Sequence, residues 1–299
     1  MKYAKRPFLL PEQLDLLSAR GLIVENRGEA EAFLSRVNYY RFSAYCPPFE
    51  QTRHQFLPNV RFEQVRDLYE LDRRLRLLVM EAIEPIEISI RTAAAYRLSC
   101  RYGPFAHSSA GNLRPTFDHS AWMRDVLTET DRSRETFVSH FRSRYEEYPQ
   151  LPIWAAVEIM SFGSLSKLYG GLQSEDRREL AARFGLHPGV LGSWLHTLVY
   201  IRNICAHHAR LWNRELAIAP RLPDKDERWR CLDPGHVKRI SSVLFLMNAL
   251  MTRLPGGAAA AEAWRMRIEA LLEGNPGIAR FQEAMGLPPN WTTSSLWRG

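Results

Sequence analysis

Four cysteines in 299 residues, Cys46, Cys100, Cys205 and Cys231, stand singly with no C-x-x-C pair. Neither a structural zinc site nor a disulfide framework is therefore indicated, and a reducing cytoplasm is the expected compartment. The N-terminal Met1 to Leu10 lacks an apolar run long enough for a signal peptide, and no later run reaches membrane-spanning length. A cytosolic protein without a membrane partner is expected. The patterns G-x-x-x-x-G-K-[ST], G-x-G-x-x-G and H-E-x-x-H do not occur, which argues against a nucleotide-hydrolysing loop, a dinucleotide fold and a zinc protease. No cofactor and no metal is expected. Period-2 runs with β-branched bias are also missing, which leaves an all-α fold.

Lysine is scarce as well. Of 40 basic residues only Lys2, Lys5, Lys167, Lys225 and Lys238 are lysine, and the other 35 are arginine. Arginine's planar fork suits bidentate phosphate contacts and stacking on bases, although genomic base composition can produce the same bias. A net charge of +7 and a pI near 9.4 favour an anionic partner without separating nucleic acid from acidic lipid or protein. With 45% hydrophobic residues the chain can build one large domain or two modest ones.

Helical periodicity runs through the chain. Pro11 to Arg20 and the stretch from Glu29 through Tyr40 predict short helices, and His54 to Pro58 reads as a connector. Phe62 to about Arg101 is the longest periodic run, with Pro85 expected to kink it and Glu84, Glu87 and Arg91 expected to play a structural part. Arg132 to Glu147 is dense in charge and predicts a mostly solvated helix, with an RNA-facing surface as the alternative. Pro152 and Pro188 each open an apolar helix, the second running to Arg202, and Val237 to Leu254 and Ala258 to Glu273 follow. The expected organisation is an N-terminal helical region (1–58), a main helical domain (59–254) and a C-terminal extension (255–299), either packed as an extra helix or partly mobile.

The segment from Ile201 to His208 sets a fixed cation, an amide and two imidazoles inside an apolar helical pattern. Arginine holds phosphate, and histidine exchanges protons near neutrality. On a helix turning about 100° per residue, Asn203 and His207 share a face while Arg202 and His207 lie roughly 140° apart. A helix ending near Ala206 would let His207 swing toward Arg202, so the site is expected at a helix terminus, with Asn203 orienting the imidazole. Arg202, Asn203 and His207 are the catalytic candidates for 2′-OH attack on the adjacent phosphate of RNA, a reaction that needs no metal and spares DNA. His208, Arg210, Trp212, Asn213 and Arg214 form a cationic stretch with an interleaved aromatic and are the RNA-binding candidates, though Trp212 suits a core equally. A lone Arg and His near a helix end also serve as capping groups. One histidine is thin for acid and base together, and a homodimer pairing two copies of the motif would supply both. The alternatives are a non-catalytic RNA-binding module using the same surface, and a helical protein-interaction module.

Three ordered blocks carry a family resemblance. Val37-Asn38-Tyr39-Tyr40-Arg41-Phe42-Ser43-Ala44-Tyr45 is one, and Trp154 with Glu158 and Ser161 to Ser166 is the second. Arg202 to His207 followed by His208 and Arg210 to Arg214 is the third. Over roughly Pro11 to Leu250 the chain resembles the Abi-like (abortive infection, AbiD/AbiF type) bacterial proteins of the HEPN superfamily, with the third block similar to their R-x4-H motif. That resemblance implies a HEPN-type helical bundle with metal-independent endoribonuclease activity. It further implies a dimer acting in phage defence or as a toxin, checked by an antitoxin or a structured RNA. It assigns Arg202 and His207 as catalytic and Asn203 as the supporting polar position.

Overall fold

The computed structural model describes residues 6–232, 234–273 and 279–299. The stretch 274–278 of the expected C-terminal extension and residues 1–5 of the expected N-terminal helical region lie outside them. The fold is all-α apart from one small hairpin, and the chain forms two compact units, 1–75 and 76–299.

The first unit is held by a cluster of rings. Helices α1 (Leu10–Ala19), α2 (Arg27–Val37) and α3 (Tyr39–Ser43) lead into the strands β1 (Glu50–Thr52) and β2 (Gln55–Phe56) and then the long helix α4 (Phe62–Tyr102), whose first part belongs here. Asn38 turns the chain between α2 and α3. It adopts φ 70°, and its side-chain oxygen accepts from the Tyr40 amide at 2.8 Å, a role for which asparagine's tolerance of positive φ suits it. Phe42 then stacks on Phe62 at 4.7 Å with Phe33 edge-on to both, and Tyr45 donates to the fully buried Asp72 at 2.6 Å. The hairpin lies across the expected connector. Its strands, three and two residues long, are too short to show a period of two.

Helix α4 runs on through Pro85, which deprives the carbonyl one turn before it of its usual amide donor. From Arg76 onward it belongs to the second unit, with α5 (His119–Arg132), α6 (Thr136–Arg144), α7 (Ile153–Ile159), α8 (Phe162–Gly171), α9 (Ser174–Arg183), α10 (Pro188–Ala206), α11 (Ile240–Thr252), α12 (Gly257–Glu273), α13 (Ala279–Ala284) and α14 (Ser295–Arg298). Helix α11 is buried on all sides, from Ile240 through Met251 with only Ala249 less enclosed, the mark of a central helix. Arg91 of α4 pairs with Glu87 and donates to the carbonyls of Val157 and Met160. It thereby satisfies the otherwise orphaned C-terminal end of α7, a structural role as expected from the sequence. At the start of α8, Ser161 accepts from the Ser164 amide at 3.1 Å while Glu129 of α5 accepts from the Ser161 amide at 3.2 Å. A hydroxyl cap and a carboxylate both suit a helix N-terminus, so the second family block builds a helix start.

His107 is buried with Nδ1 unpartnered, and its carbonyl accepts from His119 Nε2 at 2.8 Å. Burial, helped by the nearby His119, lowers its pKa to about 4. The unfolded chain therefore takes up a proton that the folded chain refuses, and this stability, present above about pH 6.5, is lost as the pH falls toward 4. Chemical denaturation across that window is expected to show a loss of about 3 kcal/mol that His107→Gln removes; an unchanged slope in the variant would refute it.

Candidate functional site

The catalytic candidates Arg202, Asn203 and His207 lie at the end of α10, where Arg202 reaches Asn203 but, among the described residues, neither hydrogen-bonds to the His207 ring. Pro188 fits the first turn, and the His187 ring accepts from the Gly189 amide at 3.1 Å, so the helix starts where its missing donor does no harm. Val190, Leu191, Trp194, Leu195, Leu198, Ile201, Ile204 and Cys205 face the core. Gly192 permits a close approach of α8, because a Cβ there would stand 3.2 Å from the Tyr169 ring.

The helix stops at Ala206, with His207 as its cap residue at φ −86°. The His208 amide donates to Cys205 O and the Ala209 amide to Ile204 O, both at 3.0 Å, while His208 takes φ 55°. This pair of bonds is the Schellman stop, in which the left-handed position normally holds glycine. Histidine occupies it here, and left-handed backbone in an L-residue costs about 1–2 kcal/mol. The loop that follows is pinned. Leu211 and Trp212 are wholly buried, the Leu216 amide donates to Lys238 O at 2.9 Å, and Trp194 of α10 donates to Arg221 O at 2.8 Å. The backbone at the helix end is thus held from both sides.

Asn203, His207 and His208 are exposed, and Arg202 is half-buried. Nη1 of Arg202 lies 3.5 Å from the side-chain oxygen of Asn203, the outer limit of a hydrogen bond. The amide therefore turns toward the guanidinium. Arg210, Asn213 and Arg214 are half-buried, and the segment bonds back onto the protein: Arg214 Nε donates to Arg210 O at 2.8 Å, and the Asn213 oxygen accepts from Arg239 at 3.1 Å. Trp212, expected among the RNA-contacting groups, is corrected to a core residue. With 0% of its surface exposed it offers no face to a base, and stacking requires one.

Two further residues, outside the sequence-based candidates, share this surface. His196 is exposed and Tyr200 half-buried, and with Asn203 and His207 they follow helical spacings of four, three and four, so all four share one outward face. The signal was present in that spacing. The Tyr200 hydroxyl accepts from the Ala217 amide at 3.4 Å, which steadies its ring beside the pinned loop. The resulting face offers imidazole, phenol and amide groups, with the Arg202 guanidinium reaching its edge beside Asn203, a set suited to holding a phosphodiester and moving its protons.

Among the described residues no three His, Cys, Asp or Glu side chains are grouped to hold a metal ion, and no helix is long and apolar enough to cross a membrane. The family model described as Abi-like protein matches residues 32–213, more than half of the chain, from within α2 to the loop beyond His208. No curated protein and no solved structure matches the chain.

Proposed function

The chain belongs to the Abi-like protein family, named for abortive infection, and from that premise we propose that it is a metal-independent endoribonuclease of the HEPN type. Its cleavage of RNA arrests the infected host or serves as the toxin of a toxin–antitoxin pair. The observation that carries this reading is the end of α10: an exposed His207 on a Schellman stop, with Arg202 near Asn203 one turn earlier. The 2′-OH attacks the adjacent phosphorus, the 5′-oxygen leaves, His207 moves the proton, and Arg202 stabilises the charge on the phosphorane-like transition state. Arg210 adds positive charge for the backbone, His208 adds a hydrogen-bonding imidazole, and Tyr200 gives a base a ring to rest on. A second copy in a homodimer supplies the second imidazole, since acid and base are both required and each chain offers one at this position.

In excess EDTA the purified protein is expected to cut single-stranded RNA to products ending in 2′,3′-cyclic phosphate and 5′-hydroxyl, and to leave an oligonucleotide of 2′-deoxy residues intact. Mass spectrometry of the fragment ends reads this directly. Salt-sensitive binding without fragments at any enzyme concentration would make the same surface an RNA-binding module.

A further inference from the structure

Seven of the eight tryptophans are buried, each no more than 4% exposed, whereas Trp154 is 53% exposed. It lies on the outer face of α7 with Glu158 one turn on, and both line a groove of about 670 Å³ that also meets α6. From α6 and the residue just past its end come Phe137, Phe141 and Tyr145, three aromatics at helical spacing. Phe141 and Tyr145 stack at 4.4 Å, while Phe137 and Tyr145 remain 38% and 49% exposed. Glu147 completes the lining with Glu158, and among the described residues no arginine or lysine lines the groove. Neither carboxylate has an ion-pair partner among the described residues.

A protein of net charge +7 therefore keeps one apolar recess with aromatic faces, two unpaired carboxylates and the titratable His140 as its single possible cation. Ring faces and carboxylates together attract ammonium or guanidinium groups, and they repel the phosphates of a nucleic acid, which need cations. The volume is that of a site for several side chains rather than one cationic head. We propose that this groove docks a polypeptide partner that inserts an arginine or lysine between apolar side chains. The cation lies against Trp154 and between Glu147 and Glu158, and the flanking apolar groups cover Phe137, Phe141 and Tyr145.

The single exposed tryptophan makes this measurable in the full-length protein, because acrylamide quenches Trp154 in preference to its buried counterparts. A hexapeptide of alternating leucine and arginine is expected to protect Trp154 saturably, and the same peptide with glutamate for arginine is not. The E147Q/E158Q double variant, altered only at exposed positions, should keep its melting temperature and weaken the peptide by about tenfold or more. W154F should abolish the protected signal. The proposal is overturned if the arginine peptide gives no protection up to millimolar concentration, or if the double variant binds it equally well. Protection by oligouridylate in preference to the peptide would overturn it too, since the groove would then be a nucleic-acid surface.

Discussion

The His207→Ala variant is expected to cleave RNA about 10²–10⁴-fold more slowly than the wild type, the range that a positioned general acid or base contributes, while its melting temperature stays within error. Both halves follow from where the residue sits. His207 caps α10 through its backbone: its amide donates to Asn203 O at 3.0 Å, and φ −86° with ψ 9° is open to alanine. Removing an exposed ring opens no cavity, so the Schellman bonds and the core beneath survive, as surface substitutions away from packing features usually allow. The proton-transfer group alone is lost. Initial rates of RNA cleavage in EDTA, with a circular-dichroism melt of the same preparation, separate lost chemistry from lost fold. Undiminished cleavage by a folded variant would remove His207 from the mechanism.

How the sequence and the structure agree depends on what each residue's role rests on. The start of α10 is written locally, since proline fits a first helical turn. Its end lacks the glycine that usually marks a stop, and the reach of Arg202 toward His207 predicts it near Ala206; the structure ends the helix there by setting His208 left-handed, but turns Arg202 toward Asn203 and not toward His207. Arg91 shows the same legibility, because a charged pair inside an apolar stripe has to find buried partners, and it finds the end of α7. Trp212 shows the opposite. Beside arginines an aromatic looks alike whether it stacks on a base or fills a core, and only the tertiary path of the loop, which no local period records, decides for the core. Charge counting predicts α6 as a helix but hides its aromatic face. The arginines and glutamates between Arg132 and Glu147 read as a solvated face, yet Phe137, Phe141 and Tyr145 recur among them at intervals of four and line the groove. His196 and Tyr200 were legible through spacing alone.

Trp297→Ala is expected to destabilise the second unit by about 3–5 kcal/mol, the range for truncating a buried aromatic. The ring is 0% exposed. It packs against Phe245 of α11 at 5.5 Å, Trp264 of α12 at 5.8 Å and Trp291 at 4.9 Å, and its indole nitrogen donates to Glu269. Its carbonyl accepts from Asn248 at 2.8 Å, and the Asn248 oxygen in turn accepts from the buried Arg265 at 3.0 Å. Alanine would leave a void between three rings and a carboxylate short of one donor, and rigid aromatics collapse into such a space only partly. Against a total of roughly 5–15 kcal/mol for a typical domain, that loss consumes a large share. The location gives the number its meaning. Trp297 and Trp264 lie beyond the family match, which ends at Asn213, yet they close over α11, the helix buried on all sides. An extension that merely trailed from the fold would show a change below about 0.5 kcal/mol on this substitution, as exposed positions do. Urea denaturation followed by circular dichroism distinguishes the two, because a packed extension lowers the midpoint at an unchanged slope.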